Sequence, residues 1–456
     1  MNHPSGALVL FGATGDLAHK KTFAALQAMV KRGVLNVPVV GVARNDWNLE
    51  RLQARARDGI DKFGGGVDEA AFGKLMKLLR YVEGDYQDPA TYDRLSAALG
   101  DAKRPLHYLA IPPSMFPTVV KQLDRAKLTS LARVVVEKPF GRDLASARAL
   151  NRLLHDVFEE SSIFRIDHYL GKEPVQNILY TRFANSMFEP TWNRNYISGI
   201  QITLAENFGV EGRGAFYDEA GALRDVVQNH ALQIAAFLTM EPPATYDAES
   251  LRDEKAKVFK SMRTLTAADV VRGQFEGYLQ EPGVAADSQV ETFAAVRVHI
   301  DSWRWQGVPV LIRVGKCLPV HAAEVMVSLN RPPHRIFPEP QPRQANYVRF
   351  QIQPQVAIAM GARSKLPGEK MVGESVELYV CQQGGEDMEP YDRLLGDAMA
   401  GDAMLFARQD SVEAAWRVVD PILGDAVPVI RYTQGTWGPT EADKLASHAG
   451  GWHNPA

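Results

Sequence analysis

Up to about residue 170 the chain alternates short apolar runs with helical patterns; beyond it, long period-two runs take over, and one sheet type cannot accommodate both. ALVLF (7–11) ends at Gly12, and a helical pattern follows from Leu17 to Lys31. VPVVGVAR (37–44), RPLHYLAI (104–111) and ARVVVEKPF (132–140) repeat the theme, with helical segments between them. Strands alternating with helices imply βαβ units and a parallel sheet. Then come GIQITLAENF (199–208), TFAAVRVHID (292–301), PVLIRVGKC (309–317), AEVMVSLN (323–330), YVRFQIQP (347–354) and SVELYVCQ (375–382). Such runs suit a large, mostly antiparallel sheet with one covered face. A helical segment, EAGALRDVVQNHALQIAAFLTM (219–240), belongs to the same half. The expected architecture is α/β plus α+β. A Rossmann-like α/β domain of the nucleotide-binding type occupies 1–170, and a larger α+β domain with a mostly antiparallel sheet occupies 171–456. The tail, TQGTWGPTEADKLASHAGGWHNPA, is rich in glycine and polar residues and reads as a mobile end.

At 456 residues the chain is too long for one ordinary core, in keeping with two domains. The formal net charge of −3 supplies no global basic field, so nucleic acid is not an expected partner. Any anion site has to come from local cations. The two cysteines, Cys317 and Cys381, offer neither metal spacing nor a disulfide framework, which fits a reducing cytoplasm and no metal. The N-terminus lacks a signal peptide's basic and apolar regions, and no stretch has the roughly 18 apolar residues of a membrane span.

FGATGDLAHKK (11–21) sits where the first strand becomes the first helix. Gly12 and Gly15 allow a tight turn close to a pyrophosphate, and Ala18 allows close helix packing. The helix N-terminus presents N–H groups and the positive dipole end. The spacing is G-x-x-G-x-x-A rather than G-x-G-x-x-G, so an ordinary glycine turn is the alternative. VVGVAR ends in Arg44 where NAD sites usually place an acid. A guanidinium there suits a 2′-phosphate and favours NADP; the alternative is a surface arginine. Lys138 ends the strand VVVEKPF, at the crevice where open α/β sheets bind ligands, and Pro139 biases it toward an extended shape.

RIDHYLGKE (165–173) places Asp167, His168, Tyr169 and Lys172 in one short span. A phosphate dianion needs several convergent donors, and His, Tyr and Lys supply them. In an extended segment successive side chains point opposite ways, so Asp167 could serve other chemistry from the same stretch. A polar interdomain turn is the alternative.

Taken in order, GATGDLA, EKPFG (137–141), RIDHYLGKE, GALRDVVQNH (221–230) and IRVGK (312–316) resemble the glucose-6-phosphate dehydrogenase family. RFANSMFEPTWNRNYI (182–197), ENFGVEGRG (206–214) and DRLLGDAMAGDAMLFARQDSVEAAW (392–416) add to the likeness, which covers nearly the whole chain. The resemblance implies oxidation of glucose 6-phosphate at C1 to 6-phosphogluconolactone with NADP as hydride acceptor. It implies His230 as general base and Asp167 as the partner that stabilises its charged form. His168, Tyr169 and Lys172 become the sugar-phosphate clamp, and Glu206, Asp225 and Lys316 further substrate contacts. Lys138 is shared by substrate and cofactor. The cofactor residues are Gly12, Ala13, Thr14, Gly15, Asp16, Leu17 and Arg44, with Asp85 and Tyr86 along the cleft. The EKPF likeness also implies a cis Lys138–Pro139 peptide. A homodimer or homotetramer, joined through the second domain's sheet, and a cytoplasmic location complete the expectation.

Some positions depart from the family pattern. His19-Lys20 stand where Lys/Arg-Arg is more usual. After Lys316 a further basic residue is expected, and His321 is the nearest candidate. AMGARSKLPGEK (359–370) is short, which leaves a second, structural NADP site open. Thr14 and Arg44 do not exclude NAD or dual use. A glucose–fructose oxidoreductase-like enzyme would share the EKP strand but not RIDHYLGKE followed by RDxxQNH. A non-catalytic NADP sensor would keep the glycine turn without reason to keep Asp167, His230 and the clamp together.

Overall fold

The computed structural model describes residues 4–44, 46–337, 339, 342, 344–381 and 388–456. Two compact units divide the chain. The first is Met1–Glu173 with Ala244–Arg252 and Asp387–Glu413; the second is Pro174–Pro243, Asp253–Glu386 and Ala414–Ala456. The two later stretches of the first unit lie in what the sequence assigns wholly to the second domain.

The first unit is a six-stranded parallel sheet of β1 (Ala7–Phe11), β2 (Val39–Ala43), β3 (Leu79–Glu83), β4 (Pro105–Leu109), β5 (Arg133–Glu137) and β6 (Ile163–Ile166). Its order is β3-β2-β1-β4-β5-β6, with every neighbour parallel. This is the doubly wound order of dinucleotide-binding domains, whose switch point falls between β1 and β4. Strands β1, β2, β4 and β5 are buried along their whole length, as apolar runs covered on both faces must be. Asn48, Asp68, Asp88 and Asp143 each cap the following helix by accepting a backbone N–H.

The second unit carries nine strands: β7 (Ile197–Ala205), β8 (Val270–Phe275), β9 (Phe293–Val298), β10 (Val310–Gly315), β11 (Ala322–Leu329), β12 (Tyr347–Gln353), β13 (Ala357–Lys365), β14 (Gly373–Cys381) and β15 (Val429–Tyr432). Their order is β14-β13-β12-β11-β7-β10-β9-β8-β15. Pairing is antiparallel except for β7 with β10 and β8 with β15. Along β12 buried and half-buried residues alternate, the mark of a sheet with one covered face.

The segment expected as one helix over 219–240 has three parts: a helix Gly214–Ala222, a π-helical run Leu223–Ala231, and a helix Leu232–Thr239. The C-terminal tail is docked rather than loose. Gln201 donates to Gly451 O at 2.9 Å and accepts from the His453 N–H at 2.8 Å. The buried Arg313 guanidinium lies between the Trp437 and Trp452 rings, 4.2 and 4.8 Å from their centroids, and donates to His453 O. Two indoles and a buried cation give this end more packing than its polar composition suggests. Among the described residues, no helix is long and apolar enough to cross a membrane.

Candidate active site

At the end of β1 the chain turns at Gly12, whose φ is 81°. A Cβ there would sit 2.2 Å from Ala110 O, so conformation and close approach both demand glycine. Gly15 N–H donates back to Gly12 O at 2.9 Å, and His19 N–H to Gly15 O at 3.1 Å. The helical pattern then starts as a π-helical turn, Ala18–Thr22, before the helix Phe23–Lys31. Ala13 and Ala18 are fully buried; Thr14 and Leu17 are half-buried. Asp16 is exposed and pairs with Lys20 at 3.3 Å and Arg55 at 3.7 Å. Tyr86 closes the turn from the side: its hydroxyl accepts from the Gly12 N–H at 2.9 Å and donates to Val42 O at 3.2 Å. Arg44 leaves the end of β2 into solvent, with Nη1 3.9 Å from Asp85 Oδ2. The glycine turn, Arg44, Asp85 and Tyr86 are therefore gathered at the carboxyl ends of β1, β2 and β3.

Lys138 follows β5 directly, and the Lys138–Pro139 peptide is cis. Its neighbour Glu137 is buried and accepts the Tyr108 hydroxyl at 2.6 Å. Burial pushes the Glu137 carboxyl up to about 7, against the opposing pull of the Tyr108 hydrogen bond and the Lys138 ammonium. The sign follows. With its native value above the unfolded one, Glu137 stabilises the fold fully below about pH 4.5 and loses that contribution as pH rises through 7. The loss by pH 8.5 is about 3 kcal/mol. Glu137→Gln, which mimics the neutral form, should therefore gain in melting temperature on the parent as pH rises from about 4.5 to 7, and keep that advantage above it. Parallel melting curves across that range would contradict the assignment.

RIDHYLGKE is not extended beyond Ile166. It is a tight turn: Leu170 N–H donates to Asp167 O, Gly171 N–H to His168 O, and Lys172 N–H to Tyr169 O, at 3.0 to 3.2 Å. Asp167 Oδ1 accepts the Tyr169 N–H at 3.0 Å, which starts the turn. Asp167 is buried at the end of β6, and winding rather than strand alternation sets it apart from its neighbours. His168 and Tyr169 rings lie 5.2 Å apart, and Lys172 Nζ stands 3.9 Å from the Tyr169 ring centroid. Arg165 anchors the turn from behind: fully buried, it donates to Glu160 at 2.7 Å and to Asn151 at 3.0 Å.

The second unit holds the remaining candidates. Strands β7 and β10 are parallel neighbours with Ala205 opposite Gly315, so the next residues emerge side by side. Lys316 Nζ lies 2.6 Å from Glu206 Oε2. The same ammonium is 5.2 Å from the Phe208 ring and 5.0 Å from the Tyr217 ring. Tyr432 donates its hydroxyl to Lys316 O at 2.6 Å and fixes the backbone there. Tyr217 is buried, and burial followed by the Asp225 and Glu206 charges pushes its phenol well up. Asp225 thus belongs with Glu206 and Lys316. His230 is buried on the same π-helical run as Asp225. Five residues on an α-helix diverge by about 140°. The i→i+5 winding of a π-helix brings them toward one face, and such runs concentrate at functional sites. His321 is exposed, 5.5 Å ring to ring from Phe208. Phe208, Tyr217 and Tyr391 are not among the candidates singled out from the sequence, since a single aromatic side chain carries no signal of a site.

A doubly wound sheet with a glycine turn at its first strand, and acid–base and cationic side chains at the following strand ends, defines a dinucleotide-linked oxidoreductase. Residues 9–177 match the family model described as glucose-6-phosphate dehydrogenase, NAD binding domain, and residues 179–453 the one described as glucose-6-phosphate dehydrogenase, C-terminal domain. The chain is 44% identical over 452 residues to glucose-6-phosphate 1-dehydrogenase 1 of Mycobacterium tuberculosis, covering 99% of this chain and 97% of that one. The crystal structure of glucose-6-phosphate 1-dehydrogenase from Mycobacterium avium matches with a TM-score of 0.94 at 44% identity, over 100% of this chain and 99% of that one. A glucose-6-phosphate dehydrogenase solved in complex with its substrate glucose-6-phosphate matches at 0.92 and 34% identity, over 100% of both chains. The chain belongs to the glucose-6-phosphate dehydrogenase family.

Proposed function

We propose that the protein oxidises glucose 6-phosphate at C1 to 6-phospho-glucono-1,5-lactone and passes the hydride to NADP. The observation that carries this is the turn Asp167–Lys172, which gathers an imidazole, a phenol and an ammonium at one strand end of a dinucleotide-binding unit. In this reading residues 1–170 hold the cofactor, and 171–456 hold most substrate contacts and the subunit interface. His168, Tyr169 and Lys172 grip the phosphate, Lys138 serves substrate and cofactor, and Glu206, Asp225 and Lys316 hold the sugar. His230 takes the C1 hydroxyl proton as hydride departs, and Asp167 stabilises the imidazolium. Gly12 to Leu17 and Tyr86 shape the pyrophosphate turn. The test is NADPH absorbance with purified protein, NADP or NAD, and a panel of sugar phosphates; turnover of another sugar phosphate in preference to glucose 6-phosphate would refute it.

Arg44 is the proposed reader of the 2′-phosphate, from its place at the end of β2. Asp85 lies beside it, so a competing carboxylate is built into the same corner. Arg44→Ala should weaken NADP by about 1.5–3 kcal/mol, the worth of a hydrogen bond to a charged group, and leave NAD nearly unchanged. Equal changes in KM for the two cofactors would remove the assignment. We also propose a cytoplasmic homodimer or homotetramer. The edge strand β14 exposes Leu378, Tyr379 and Val380, a surface suited to covering by another subunit. Light scattering tests it; a monomer at micromolar concentration would overturn it.

A further inference from the structure

The buried Glu137 carboxyl has no part in the chemistry proposed above, yet it is tied to the phosphate turn through one side chain. Tyr391 begins the helix Pro390–Ala400, and its hydroxyl lies 3.4 Å from Glu137 Oε2. Its ring is near-parallel to the His168 imidazole, at 13° with centroids 6.4 Å apart. The helix is pressed onto the turn: a Cβ on Gly171 would meet Pro390 O and Leu394 Cγ at 3.0 Å. The other Glu137 oxygen is taken by Tyr108 from β4 at 2.6 Å. A buried carboxyl is costly unless its oxygens are bonded, and two phenols supply the bonds here. Burial and the Glu137 charge push the Tyr391 phenol up, with Asp167 adding to the effect, so it stays a donor. The short Tyr108 bond fixes the carboxyl; the longer Tyr391 contact is the adjustable one.

We propose that Glu137 and Tyr391 are positioning residues for the phosphate clamp: the Glu137 carboxyl holds the Tyr391 hydroxyl, and the Tyr391 ring holds the His168 imidazole in the plane that faces the sugar phosphate. The proposal rests on the clamp reading of His168. A near-parallel ring 6.4 Å away limits the rotation of the His168 imidazole about χ1 and χ2. Glu137 also adjoins Lys138 in sequence, so one buried group braces the end of β5 and the clamp together.

The test is steady-state kinetics on Tyr391→Phe, Glu137→Gln, Glu137→Leu and His168→Ala, with glucose 6-phosphate, NADP and free glucose. Tyr391→Phe keeps the ring and loses the anchor. It should raise KM for glucose 6-phosphate by about 3–10-fold, the usual worth of one hydrogen bond. KM for NADP, and kcat/KM for free glucose, which has no phosphate to position, should not move. Glu137→Gln retains an acceptor oxygen and should be milder than Glu137→Leu. Adding Tyr391→Phe to His168→Ala should cost nothing further, because both act through one contact. If His168→Ala leaves KM for glucose 6-phosphate unchanged, the clamp reading fails and takes this proposal with it. If His168→Ala raises it while Tyr391→Phe does not, or if Tyr391→Phe lowers kcat/KM for glucose and glucose 6-phosphate alike, the clamp stands and the positioning role is overturned. The comparison between substrates holds even where a variant melts lower, since a merely structural loss would move both.

Discussion

His230→Asn should fold, bind both ligands and lose most of kcat. Asparagine keeps much of the size and polarity of the imidazole but cannot accept a proton at neutral pH. Positioned acid–base catalysis is worth about 10²–10⁴-fold, and a loss of that order is expected in single-turnover NADPH formation. Asp167→Asn should also slow turnover, because a neutral amide stabilises imidazolium less than a carboxylate and can select the wrong tautomer. The pair should be less than additive if the two residues act as one unit. Asp167 has a further duty, since its Oδ1 starts the turn by accepting the Tyr169 N–H. An amide oxygen can still accept that bond, so Asn is the variant that separates charge from turn geometry; Ala would confound them. Near-normal kcat in His230→Asn would end the assignment of the base.

The second large effect concerns the phosphate. Lys172→Ala should raise KM for glucose 6-phosphate by about 10–100-fold, as expected for a lost charge-assisted contact, and leave KM for NADP nearly unchanged. Free glucose forfeits every contact of the clamp. Its kcat/KM should fall on the order of 10³-fold or more below that of glucose 6-phosphate, because binding energy remote from C1 is what orients the reacting carbon. Comparable efficiency with the two sugars would sink the clamp formed by His168, Tyr169 and Lys172.

The buried parallel strands were legible because their burial on both faces leaves near-continuous apolar runs: ALVLF is β1 residue for residue. Strand β3 was not, because LRYVE exposes Arg80 and Glu83 at the sheet edge and breaks the run. Strand β6 is only IFRI, and its arginine reads as surface although Glu160 and Asn151 bury it. In the second sheet AIAMGARSK is not among the runs read as strands, since alanine and glycine carry little strand signal; pairing on both sides makes it β13. The candidate site residues stand out as a set through motifs and resemblance, but their local geometry does not. Neither the turn that replaces an extended RIDHYLGKE nor the π-helical winding under Asp225 and His230 leaves a mark in hydrophobic periodicity. Tyr391 was invisible for a different reason. It lies more than 200 residues along the chain from the turn it packs against, and only the fold brings the helix Pro390–Ala400 back into the first unit.

The π-helical run Leu223–Ala231 carries one residue too many for the α-helical spiral on either side of it. Most places in a protein are harmed by losing a residue. Here a shortened chain could wind continuously from Ala222, just after the break at Gly221, to Thr239, with more regular backbone bonding than the present segment has. What it would lose is the wider i→i+5 winding, and with it the spacing at which Asp225 and His230 now share one face. Asp225 and His230 would then stand four apart, about 40° on an α-helix, at the spacing of the α-helical turn and not at that of the π-helical one. The surplus residue thus works as a spacer, and the segment is one where selection for stability and selection for activity would pull the length of the chain in opposite directions.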